Sequence, residues 1–276
     1  MPKASVNGIQ LYYETHGSGD PLLFVSGTGV TRHTWLPFQV PFFSQHYTCI
    51  VYDHRGLGES DKPPGPYSTR LFASDAAGLL DALGIQRAFL MGHSMGGRVC
   101  QWIALDFPEK VRAMVLSSTG SGQVEGLPPM ERGIPIDTVE EMVKVGYERY
   151  YAEHFGANEF MFPKEFIAQH ADMIRQREEN AARTRPPLRC YLEHVRARQC
   201  HETGDLLDRI QAPTLCLVGS SDHAEAGTGD HVASTRQLAD RIPNAVYQEI
   251  PGGAHGYLWQ KADEANAAVL AFLQQY

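Results

Sequence analysis

The chain has 276 residues, a formal net charge of -8 and 43% apolar residues, enough to fill one large hydrophobic core without disulfides or metals. Its basic residues are scattered instead of forming an arm or stripe, which argues against nucleic acid as a partner. No apolar run approaches the roughly 18 residues of a membrane span, and Met1-Pro2-Lys3-Ala4-Ser5 leads into polar sequence with no signal-peptide core. A soluble, cytoplasmic monomer or homodimer acting on a small molecule, with no membrane partner, is the expectation.

In chain order, short β-rich apolar runs occur at Ile9 to Glu14, Leu22 to Val25, Thr48 to Tyr52, Ala88 to Met91, Ala113 to Leu116, Thr214 to Val218 and Val246 to Ile250. Several lack polar alternation, as strands buried on both faces do. Between them Phe72, Ala76, Leu79, Leu80 and Leu83 recur at helical spacing, as do Ala262, Ala265, Val269, Phe272 and Leu273. This alternation predicts an α/β fold with a mostly parallel sheet flanked by helices. The rhythm breaks between about Gly120 and Ala212, where Gly and Pro cluster and helical patterns follow without strands. The expected organisation is a core of residues 1–120 and 212–276 with a helical cap of residues 121–211. Within that cap one helix is expected over Thr138 to Phe155, another from near Pro163 and a third from near Pro186 and Pro187.

The run Met91-Gly92-His93-Ser94-Met95-Gly96-Gly97 sets Gly-x-Ser-x-Gly between a buried strand and a helix. Such a tight turn exposes the serine hydroxyl at the carboxyl end of the sheet, and the helix start offers the Met95 amide to an oxyanion. Ser94 is therefore the candidate nucleophile. A serine needs an imidazole to take its proton, and in this motif class the chain order is serine, acid, histidine. His255, in Pro251-Gly252-Gly253-Ala254-His255-Gly256, has that place. Asp222, just after the strand ending at Val218, is the candidate acid, with Glu225 and Asp230 as rivals. His154, His170, His194, His201, His223 and His231 fall in contexts that read as solvated, and His93 is expected to point away from the serine. Thr28, in Ser26-Gly27-Thr28-Gly29, is the choice for the second oxyanion amide, with Gly29 as the other register. Gly27, Gly29, Tyr147, Tyr151, Tyr191, Tyr257 and Trp259 are candidates for the pocket wall. The cysteines Cys49, Cys100, Cys190, Cys200 and Cys216 have no metal-ligand spacing and read as reduced packing residues.

Together these residues resemble the α/β-hydrolase superfamily along nearly the whole chain. Gly92 to Gly97 is similar to its elbow, Asp53-His54-Arg55-Gly56-Leu57-Gly58-Glu59-Ser60 to its structural turn, and Asp222 and His255 stand at its acid and base positions. The resemblance implies an eight-stranded sheet and a triad that needs neither metal nor organic cofactor. Arg55 to Ser60, continuing through Pro64 to Ser68 and Leu80 to Ile85, looks most like the 3-oxoadipate enol-lactonase and small carboxylesterase branch. Many relatives carry His-Gly where this chain has Ser26-Gly27, which puts the rigidity of that loop in question. Hydrolysis of an ester or lactone through an acyl-enzyme is the expectation. Cleavage of a carbon-carbon bond in a β-diketone or vinylogous ketone by the same triad, or a slow-turnover ligand receptor on the same fold, stand as alternatives.

Overall fold

The computed structural model describes residues 2–122, 132–156, 158–223 and 230–276. It opens with a hairpin, β1 (Lys3–Val6) and β2 (Ile9–His16), joined by Asn7 and Gly8 with φ of 47° and 76°. Positive φ at both turn residues is what a two-residue hairpin demands. β1 has no counterpart among the expected strands, because four residues with two polar ones carry little apolar signal.

Strands β3 (Pro21–Val25), β4 (Thr48–Tyr52), β5 (Ala88–His93), β6 (Val111–Ser117), β7 (Thr214–Gly219) and β8 (Ala245–Ile250) complete one sheet. Its order is β1-β2-β4-β3-β5-β6-β7-β8, antiparallel at β1 and β2 and parallel thereafter. The order reverses around β3 and β5, and ligands bind α/β sheets at such switch points, outside the carboxyl ends of the strands.

Helices α1 (Gln39–Phe43), α2 (Thr69–Ala82), α3 (Met95–Asp106), α9 (His231–Arg241), α10 (Tyr257–Gln260) and α11 (Ala262–Leu273) accompany the sheet. The two-residue strand period divides the interior into two cores. Leu23, Val25, Ile50, Leu90, Met114 and Leu116 pack with Phe72 and Leu79 of α2 and Val99 and Ile103 of α3. Leu22, Phe24, Val51, Met91, Val115 and Leu217 turn to the other face and pack with Phe43 of α1 and Val269 and Phe272 of α11. Each fully buried aliphatic or aromatic side chain contributes roughly 1.5–3 kcal/mol, so the parallel strands carry much of the stability.

Between β6 and β7 lie α4 (Ile136–Val145), α5 (Tyr147–Phe155), α6 (Lys164–Gln169), α7 (Ala171–Thr184) and α8 (Leu188–Gln199). The helix expected over Thr138 to Phe155 is two helices, because Gly146 adopts φ 85° and ψ 141° and ends the first. α6 and α8 follow Pro163 and Pro187 as expected. α7 is polar, with a narrow buried stripe of Ile174, Arg177 and Ala181. These helices dock on loops at the carboxyl edge of the sheet. Tyr151 donates to the Gly29 carbonyl at 2.6 Å, His194 Nε2 to the Arg55 carbonyl at 2.9 Å, and Arg189 to the carbonyls of Lys62 and Pro63. Cys49, Cys100, Cys190 and Cys216 are buried, whereas Cys200 is exposed past the end of α8 and is not a packing residue. Among the described residues no helix is long and apolar enough to cross a membrane.

Candidate active site

Ser94 stands between β5 and α3 with φ 55° and ψ -123°, a conformation that costs a non-glycine residue about 1–3 kcal/mol. The strain is held by bonds on both sides: its amide donates to the Ser117 carbonyl at 2.8 Å, and its carbonyl accepts from the Thr119 hydroxyl at 2.7 Å. The flanking glycines let the turn close. A Cβ on Gly92 would lie 2.6 Å from Cys100 Sγ, and one on Gly96 would lie 2.7 Å from the Val25 carbonyl carbon and 2.9 Å from the Ser26 oxygen.

Asp222 and His255 come from the loops after β7 and β8. Those loops are tied together: Ser221 donates its amide to the Gly253 carbonyl at 2.9 Å and Ser220 to the Ile250 carbonyl at 3.0 Å. Both side chains are buried, and His255 Nδ1 donates to Asp222 Oδ2 at 2.9 Å. The other carboxylate oxygen is also taken, since His231 Nδ1 donates to Asp222 Oδ1 at 3.1 Å. An ionised carboxylate only accepts, so each ring presents an Nδ1–H and keeps Nε2 as its acceptor. Burial alone would raise the Asp222 pKa, but attraction to His255 and His231 and their two hydrogen bonds hold it well below the usual carboxylate range. Burial pushes His231 down, against the pull of Asp222, so it is neutral at pH 7.

The His231 and His255 rings stack at 4.5 Å and 25°, and Phe160 packs on His255 at 4.5 Å and 24°. The expectation that His231 is solvated is therefore overturned; packing of α9 against β7 carries it inside. His194 and His201 are likewise buried, and only His170 and His223 of that group are exposed. His93 turns its Nδ1 to the Ser117 hydroxyl at 2.8 Å, which in turn meets the Tyr257 hydroxyl at 2.6 Å. Its ring nevertheless lies 4.8 Å from that of His255. The rival Asp230 caps α9 through the Ala233 amide and pairs with His223, while Glu225 lies outside the described residues.

The loop after β3 comes up to the serine from the other side. A Cβ on Gly27 would lie 3.3 Å from Ser94 Cβ, and among the described residues neither the Thr28 nor the Met95 amide has a hydrogen-bond partner. The Thr28 hydroxyl is also buried and unpartnered. Ser26, in the place where many relatives carry histidine, orders this loop by other means. Its hydroxyl accepts from the Trp35 indole at 2.9 Å and its carbonyl from His54 Nε2 at 3.2 Å.

A cavity of about 960 Å³ opens at this point, bordered by Gly27, Thr28, His93, Ser94, His231 and His255 from the sheet side, by His154, Arg177, Tyr191 and Arg198 from the inserted helices and by Phe160 from the turn before α6, with Trp259. Ser94 and His255 share this wall, although among the described residues no hydrogen bond joins them. Such links are often long until substrate binds. Of the expected pocket residues, Gly27, Tyr191 and Trp259 line the cavity. Gly29, Tyr147, Tyr151 and Tyr257 do not border it. The hydroxyls of Tyr147, Tyr151 and Tyr257 are spent on the Pro186 carbonyl, the Gly29 carbonyl and Ser117. Arg177, on the polar α7, is buried, stacks over Trp259 at 4.7 Å and has no carboxylate partner among the described residues. Asp222, His231 and His255 form a group whose ligand atoms lie within 4.8 Å of one another. A cation there would have to displace both Nδ1 protons.

The chain matches the family model described as alpha/beta hydrolase fold over residues 20–262. It belongs to that family. Among curated proteins, this hydrolase is 29% identical over 272 residues to a protein of Azorhizobium caulinodans named for carbamate hydrolysis, RutD, covering 99% of this chain and 98% of the relative. Among solved structures, the enol-lactonase of Burkholderia xenovorans LB400 superposes with a TM-score of 0.84 at 25% identity, covering 99% of this chain and 100% of the other. Est816, described as an N-acyl homoserine lactone degrading enzyme, gives 0.81 at 28% identity, covering 98% and 100%. The hydrolase family and the likeness to the enol-lactonase and esterase branch thus stand on chain-length similarity.

Proposed function

We propose that this hydrolase cleaves a carboxylic ester or lactone of a small molecule through an acyl-enzyme on Ser94. The observation that carries the reading is the strained Ser94 on the wall of the same cavity as an imidazole whose Nδ1–H is anchored on a buried carboxylate. In this scheme Ser94 Oγ attacks the carbonyl carbon while His255 Nε2 takes its proton, and Asp222 holds the ring and stabilises the imidazolium. The oxyanion is received by the amides of Thr28 and Met95, at the N-terminus of α3, whose free N–H groups and dipole favour negative charge. His255 returns its proton to the leaving alkoxide and then draws one from water, which releases the acid and restores the serine. No cofactor takes part.

The similarity to two lactone-cleaving proteins favours an oxygen ester over other acyl derivatives. The helices of residues 121–211 act as the cap, supplying the far wall and with it the choice of substrate. A cavity of about 960 Å³ accommodates a substrate at the upper end of small-molecule size.

The test is a panel of aryl esters, γ-lactones, a carbamate and a β-diketone, assayed with the wild type and with Ser94→Ala. Ester or lactone turnover that falls about 10⁴-fold or more in Ser94→Ala is expected. Preferred cleavage of the diketone or carbamate, or full activity in Ser94→Ala, would overturn the reading.

A further inference from the structure

One carboxylate serving two imidazoles is more than a proton-transfer triad requires. Asp222 Oδ2 accepts from His255 at 2.9 Å and Oδ1 from His231 at 3.1 Å, and the two rings stack at 4.5 Å and 25°. All three side chains are at least 95% buried, so neither contact is exchanged readily with water. His231 comes from the first turn of α9, whose start is fixed by the Asp230 side chain on the Ala233 amide. It is thus delivered by a rigid element and not by a loop.

We propose that His231 is a positioning residue for the base: it fixes the Asp222 carboxylate through Oδ1, fixes the plane of the His255 ring by stacking, and sets how much of the carboxylate's charge reaches His255. The inference rests on the acyl-enzyme reading above, in which His255 is the base.

A carboxylate with a single donor can rotate about its Cβ–Cγ bond; with a donor on each oxygen it cannot do so without breaking one bond. Stacking adds a second restraint, because tilting the His255 ring out of plane would press it into His231. The second donor also divides the negative charge. With His231 present, Asp222 is a weaker acceptor toward His255 and stabilises the imidazolium less. The other ionisable groups facing these side chains are His93 at the end of β5 and His154 of α5 on the His255 side, Arg98 of α3 on the His231 side, and Tyr257 of α10 and His223 on the Asp222 side. None of these is an acid that could take over from Asp222.

Two variants separate position from bulk. His231→Phe keeps an aromatic face for stacking and removes the donor; His231→Gln keeps a side-chain donor and removes the ring. Both are assayed on the preferred ester beside wild type and Ser94→Ala, with the rates of wild type and the two His231 variants expressed per site titrated by an active-site phosphonate and that of Ser94→Ala per chain. His231→Phe should lower kcat/KM by roughly tenfold and move the acidic limb of its pH profile upward by about half a unit or more, because Asp222 then turns its full charge to His255. His231→Gln should restore the limb toward its wild-type position.

Proton NMR gives a reading independent of turnover: two far-downfield imidazole N–H resonances in wild type and in Ser94→Ala, one in His231→Phe. An unmoved limb in His231→Phe, or both downfield resonances persisting in it, overturns the proposal, as does a Gln variant that behaves like Phe. If Ser94→Ala is fully active, the acyl-enzyme reading fails instead, while the two resonances still report whether His231 holds Asp222.

Discussion

Replacing Gly96 by alanine is the smallest change that tests whether the elbow geometry matters. A Cβ there would lie 2.7 Å from the Val25 carbonyl carbon, 2.9 Å from the Ser26 oxygen and closer still to the Val25 oxygen. All three are backbone atoms of β3 and the loop after it, so no rotamer relieves the overlap. Carbon and carbonyl atoms approach no closer than about 3 Å, so α3 and β3 must separate by roughly 1 Å. Overpacking of this kind costs about 1–3 kcal/mol of stability, within what a protein of ordinary stability of about 5–15 kcal/mol survives. The functional effect should be larger in proportion. The displaced parts carry the Met95 amide on one side and the Thr28 amide on the other, and a misplacement of about 1 Å in a reacting constellation costs on the order of 10²-fold in rate. Thermal melting with kcat on an aryl ester would measure both. The expected outcome is a folded protein, a few degrees less stable, with kcat down about a hundredfold and KM nearly unchanged. Wild-type kcat in a folded Gly96→Ala protein would refute the argument that helix and strand must touch here.

Tyr151→Phe should remove the 2.6 Å bond to the Gly29 carbonyl, destabilising the protein by about 1–3 kcal/mol in urea melts, and should lower kcat by loosening the loop that carries Thr28. Unchanged kcat would detach the inserted helices from that loop. Stability should also fall as the pH drops from 6.5 toward 4. Burial pushes His54 to about 4 and His194 to about 3, so in that range the unfolded chain binds protons the native protein refuses. The loss should be on the order of 2 kcal/mol per histidine by pH 5, and urea melts of His194→Gln should show a shallower pH dependence than wild type. An identical slope would mean that His194 is not held neutral.

Most of the fold, and the serine, were legible because their causes are local. The elbow is a steric statement about six adjacent residues, and strands with both faces buried announce themselves as apolar runs. Asp222 and His255 could be named from chain order alone, since strands at one end of a parallel sheet deliver their loops to one place. The rest depended on contacts between distant segments. Nothing near His231 separates it from the exposed His223 eight residues earlier; only the docking of α9 on β7 buries it against Asp222. Arg177 reads as part of a solvated helix, and its burial over Trp259 follows from where that helix is laid. Gly146 did carry a signal, for a glycine in a helical pattern can end the helix, and here it does at φ 85°. The direction of Tyr257 was not readable, because its hydroxyl answers to Ser117 at the end of β6.

Treatment with a fluorophosphonate, followed by peptide mass analysis, reads the nucleophile itself. One adduct per chain is expected, carried by the Ser94 side chain, absent after prior denaturation and absent in Ser94→Ala. A protein that stays unlabelled while turning over ester, or an adduct on any other residue, would contradict the assignment of Ser94.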